Sequence, residues 1–92
     1  MEEAATVSVG NSATNLKKLT VTFPEPFTAV PVVVANTLQT DPAYPAGSIP
    51  DTFAVTITGT SKTGFTANII RVDAPGSGWG QKLSLGYAAT TP

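Results

Sequence analysis

The chain contains no cysteine and no histidine. Those absences exclude disulfide staples, zinc–thiolate sites and any Cys–His or Ser–His–Asp nucleophile. Charge is scarce too: 12% of residues are charged, against roughly 25% in an average globular domain. Five basic and six acidic residues give a net charge of −1, so no electrostatic footprint for nucleic acid exists. The longest apolar runs fall far short of the ~20 residues that span a bilayer, and no membrane insertion is expected. No basic-then-apolar signal pattern opens the chain. Asp41 and Asp51, on one loop, lack the ligand density of a calcium site, and nothing positions them as a glycosidase pair. Gly76-Ser77-Gly78-Trp79-Gly80 precedes no helical pattern and is no dinucleotide fingerprint. No metal, cofactor or enzymatic activity is expected.

Fifteen threonines and nine valines occupy the room that Lys and Glu usually fill. Branching at Cβ favours pleated, half-buried surfaces over helices. The 92 residues suit one domain. A domain this small buries only a little more than ~60% of its unfolded surface, and it has neither disulfide nor metal to compensate. Association with further copies is the remaining common route to stability.

Residues 1–5 read as a linker or lead-in segment, and residues 6–92 as the domain. Thr6–Val9 alternates and closes at Gly10-Asn11. Leu16–Phe23 puts Leu19, Val21 and Phe23 on one face and Lys18, Thr20 and Thr22 on the other. Pro24-Glu25-Pro26 stops that strand, because proline cannot donate to a ladder. Val30–Leu38, with Val32, Val33 and Val34 in a row, predicts a strand covered on both faces, by the second sheet and a loop or by a neighbouring subunit. Phe53–Gly59 and Phe65–Arg71 form a hairpin pattern, with Gly64 able to take the positive φ that a hairpin bulge asks for. Lys82–Ala89 closes the domain with Leu83, Leu85 and Tyr87 alternating. Two long loops remain, Gln39–Thr52 and Ala74–Gly80. The expectation is an all-β, six-stranded antiparallel β-sandwich with low-charge faces that need cover.

Four segments carry a family resemblance: Val21-Thr22-Phe23-Pro24-Glu25-Pro26-Phe27, Pro31-Val32-Val33-Val34, Thr63-Gly64-Phe65-Thr66 and Leu83-Ser84-Leu85-Gly86-Tyr87-Ala88-Ala89. Their order and spacing, from Leu16 to Ala89, resemble the H-type lectin domain of snail agglutinins and slime-mould discoidins, with similar domains on phage tail fibres. The resemblance implies a six-stranded sandwich, a parallel homotrimer, and metal-free binding of galactose-type sugars in clefts between subunits. The sugar contacts do not carry over. Gly10-Asn11-Ser12 stands where the family has Gly-Arg-Asp, Thr56 where it has an arginine, and Val72-Asp73 where it has Trp-His. The family's following tyrosine falls near Gln81.

The resemblance places the loop from Arg71 to Gln81 in the stretch of the family's Trp-His loop, which implies that the cleft position persists while its chemistry changed. Arg71, Asp73, Trp79 and Gln81 combine a planar donor, a carboxylate, an aromatic face and an amide, which suits hydroxyls that both donate and accept. Asn11 and Ser12 approach from the neighbouring loop. Two alternatives stand beside this: Trp79 folds onto the sandwich edge with its N–H satisfied, and Arg71–Asp73 is a surface ion pair. The Gln39–Thr52 loop, with Asp41, Tyr44 and Asp51, is the second candidate. The leading functional expectation is a non-catalytic glycan- or cell-surface-binding adhesion module, extracellular or on a virion surface, at the tip of a bacterial or phage fibre. The alternative is a trimerisation cap with no sugar site.

Overall fold

The computed structural model describes residues 2–42 and 51–91. They form six strands: β1 (Glu2–Ser12), β2 (Leu16–Thr22), β3 (Val32–Gln39), β4 (Phe53–Thr58), β5 (Gly64–Arg71) and β6 (Trp79–Thr90). Two three-stranded sheets, ordered β1-β6-β3 and β2-β5-β4, pair antiparallel throughout. The chain is an all-β sandwich, as its alternation predicts.

Period-two alternation supplies the core from both inner faces. Val21, Phe65, Ala67 and Ile69 come from one sheet, and Leu83, Leu85, Tyr87 and Ala89 from the other. Beyond the Pro24-Glu25-Pro26 stop, Phe27 turns back inward, its N–H donating to Lys62 O at 2.8 Å. Its ring meets Phe23 edge-on at 4.9 Å, and Phe65 meets Tyr87 the same way at 5.1 Å. Edge-to-face packing of this kind matches each ring's positive edge to its neighbour's negative face.

Several boundaries depart from expectation. Residues 2–5, expected as a lead-in, extend β1, because Glu2 to Ala5 pair with Thr90 to Tyr87. Strand β6 begins at Trp79 rather than Lys82, since Trp79 pairs with Ser12 at the far end of the same ladder. Within the single chain strand β3 has cover on one face only, so no loop among the described residues supplies the second cover that its valine run predicts. It lies at a sheet edge, and Val32 and Val34 stay 59% and 64% exposed on the outside. Gly64 does not take positive φ; Gly59 does, at +63°. Gly64 instead sits so close to β2 that a Cβ would collide with the Val21 carbonyl.

An irregularity in β1 positions the end of the sandwich. Register shifts flank Gly10, whose φ is +76°. Three successive carbonyls there accept from side chains. Lys17 Nζ donates to Val9 O at 2.6 Å and to Asn11 O at 2.9 Å, while Trp79 Nε1 donates to Gly10 O at 2.7 Å. Lys17 belongs to the opposite sheet, so its ammonium ties the two layers together.

Candidate functional site

Arg71, the last residue of β5, organises the loop end of the molecule. Its Nε and Nη2 donate to the two oxygens of Asp73 at 3.1 and 3.2 Å. Nη2 also reaches Asp51 Oδ1 at 3.0 Å, and Nη1 donates to Gly78 O at 2.6 Å. Gln81 Nε2 completes the cluster on Asp51 Oδ2 at 2.7 Å. A flat guanidinium suits this role, because its fixed fork satisfies several acceptors at once. Arg71 is the more buried partner, with Asp73 at the rim. The Arg71 guanidinium beside Asp73 holds that carboxyl below its ordinary value of 3.8, and the Thr52 amide adds to the effect.

The structure brings most of the expected site residues to this one end. Ser12 pairs with Trp79, and a Cβ on Gly78 would strike the Ser12 carbonyl, so the two loops are in contact. Ser12 Oγ donates to Thr14 O at 2.8 Å, and Asn11 beside it is exposed. Arg71, Asp73, Gln81, Asn11 and Ser12 therefore share one rim.

Trp79 does not present a stacking face. It is 4% exposed, packs edge-on against Phe53 at 5.0 Å, and donates its N–H to Gly10 O. Its large apolar ring is better placed in the core, and β6 starts early enough to carry it there. Of the two readings of Trp79, burial at the sandwich edge is the one observed.

Asp51 is the member that sequence reasoning misses. Grouped with Asp41 on the long loop, it instead faces Arg71 and Gln81, which lie 20 and 30 positions away. No local pattern marks such a pair. Asp41 goes elsewhere and accepts from the Lys82 amide at 2.8 Å. Tyr44 lies outside the described residues. Among the described residues no group of three or more carboxylates gathers into a metal site, and no helix is long and apolar enough to cross a membrane.

No protein-family model matches the chain, and no curated protein matches it. Solved structures do share its fold. An N-truncated R1-type pyocin tail fibre aligns over 99% of this chain and 70% of its own, with 22% identity and a TM-score of 0.74. A P. aeruginosa R1 pyocin fibre comprising C-terminal residues 323–701 gives the same identity and TM-score, also over 99% of this chain, and this chain covers 23% of it. The tailspike of Pseudomonas phage phi297 aligns over the whole chain at 16% identity and a TM-score of 0.72, and this chain covers 15% of it. At these identities the likeness is one of fold.

Proposed function

We propose that this chain is a non-catalytic module of a fibre-like surface assembly. In this reading it forms a parallel homotrimer and recognises a glycan or other cell-surface ligand at the Arg71–Gln81 end. The observation that carries the proposal is the fold match to a pyocin tail fibre over 99% of the chain. Such a module would act outside the cell, on a virion or particle surface; the H-type lectin resemblance supports the scaffold, while the family's own sugar contacts are replaced in this chain. Asp73 would direct hydrogen bonds to hydroxyls, with Asn11 and Ser12 contributing from β1. Arg71 and Gln81 would hold the rim in place, with Trp79 as its buried support. Three copies on one axis let a weak single site act through avidity.

One observation favours the second reading, a trimerisation cap without a sugar site. The Arg71 guanidinium and the Gln81 amide donate inward, to Asp51, Asp73 and Gly78, rather than towards solvent. A glycan array probed with the assembled protein separates the two. The expected outcome is binding to a defined set of glycans, weakened at least tenfold by Asp73→Asn and by Asn11→Ala. Each variant is first checked for unchanged assembly. No binding to any glycan supports the cap, and full binding by both variants moves the site elsewhere.

A further inference from the structure

Lys17 breaks the alternation of β2. A period of two puts it on the inner face with Leu19 and Val21, and it pairs with Ile69, which is fully buried. That row continues to Val55 on β4, which packs against the core. The pattern asks for an aliphatic residue at this position, because lysine is almost never buried unless its ammonium is paired. Here the lysine is half-buried, and its partners are backbone carbonyls. Its Nζ donates to Val9 O at 2.6 Å and to Asn11 O at 2.9 Å.

Those two carbonyls lie where the β1–β6 ladder thins out. Register partners run without interruption from Glu2 to Ser8, but beyond Ser8 only Gly10 and Ser12 have partners on β6. Among the described residues Val9 and Asn11 have none. The segment is held from the side instead. Lys17 takes the outer pair of carbonyls, and the Trp79 indole takes Gly10 O between them at 2.7 Å. Beside this clamp Asn11 is exposed, and among the described residues no hydrogen bond engages its side chain. The Gln81 amide and the Arg71 guanidinium differ, since both donate inward to the rim.

We infer that Lys17 is a positioning residue of the rim: its ammonium fixes the bulged end of β1 and so aims Asn11 and Ser12 beside the Arg71 loop. The inference rests on the recognition site proposed above, of which Asn11 and Ser12 are part. A strand end without ladder partners keeps its backbone freedom unless other contacts restrain it, and a side chain on a moving backbone binds at an entropic cost. Charged donors make the stronger hydrogen bonds, and an ammonium with three of them can grip two carbonyls at once. An aliphatic side chain at position 17 would fill the same space and grip neither. This accounts for a lysine at an inward position whose neighbours on that face are apolar.

The test separates local aim from general stability. Lys17→Met keeps an unbranched apolar stem and removes the ammonium. By NMR relaxation, wild-type Asn11 and Ser12 should show backbone order parameters near the rigid value of about 0.85. In Lys17→Met these should fall below about 0.6, with β2 and β5 still rigid. Unchanged values at Asn11 and Ser12 overturn the inference, and so does a variant that fails to fold, which would make Lys17 a support of the whole sandwich. Because the chain has no cysteine, Lys17→Cys can be alkylated with bromoethylamine in denaturant and refolded, which rebuilds the reach and charge of lysine. Alkylation should restore the rigid values; a loss it does not restore assigns the effect to damaged packing. The second readout is a double-mutant cycle on the array glycan that binds the wild type most strongly. Lys17→Met should weaken binding at least tenfold, as Asn11→Ala does, and the two together no further than either alone. Combined with Asp73→Asn, which shares no hydrogen-bond partner with Lys17, the losses should multiply. Losses that multiply with Asn11→Ala show that Lys17 does not act through Asn11. If no glycan binds, the recognition reading fails, and the order parameters alone decide whether Lys17 holds the arm.

Discussion

Trp79 and Asp73 sit at the same end of the sandwich and carry opposite kinds of load. The Trp79 indole fills core volume and donates to Gly10 O, between the two register shifts of the β1–β6 ladder. Trp79→Phe keeps most of the apolar ring but removes that buried hydrogen bond. A loss of about 1–3 kcal/mol of unfolding free energy is expected in urea titration. Asp73 acts through charge at the rim. Its folded pKa lies below 3.8, chiefly through its hydrogen bonds to Arg71, so the native state binds the proton less readily than the unfolded chain. Its stabilising contribution is whole above the unfolded value and disappears as pH falls through the folded one. The melting-temperature gap between wild type and Asp73→Asn should therefore be constant near neutrality and shrink below about pH 4. A gap that persists at pH 2 would assign the effect to packing instead.

At the scale of elements, β1 does more than its sequence pattern suggests. It runs the length of β6 and changes register at Gly10, where a positive φ is needed. The bend turns three carbonyls towards Lys17 and Trp79, which lock the strand to both layers. Gly10→Ala imposes a left-handed conformation on an L-residue at a cost of roughly 1–2 kcal/mol. Backbone amide exchange should rise around Val9–Ser12 and Trp79–Leu83 before it rises at β2–β5. Uniform exchange across both sheets would show that the bulge is not a local weak point. Strand β3, by contrast, has a regular ladder to β6 and an uncovered outer face. Of its consecutive valines, Val33 packs against the core while Val32 and Val34 stay exposed in the single chain.

At the scale of the molecule, two outer faces and one rim differ in what they expose. The β2-β5-β4 outer face carries the Lys18–Asn68–Thr58 hydrogen-bond array, the β1-β6-β3 outer face exposes Val32, Val34 and Leu38, and the Arg71 rim closes one end. The fold match to pyocin and phage tail proteins places the same sandwich within longer chains.

Much of this was legible without coordinates. Alternation at Leu19-Val21-Phe23 and Leu83-Leu85-Tyr87 determined strands and their inward faces, because a period of two leaves no other way to segregate apolar from polar side chains. Missing cysteine and histidine determined which chemistries were absent. Tertiary structure alone decided which strands pair, and so that β3 is an edge and β6 a centre. It also decided that Glu2–Ala5 join β1, that Trp79 is buried, and that Asp51 belongs to Arg71. The physical reason is common to all four. Periodicity reports the face a residue occupies, whereas ladder partners, burial at an element's end and ion pairs 20 positions apart depend on contacts between distant segments, which no local pattern encodes.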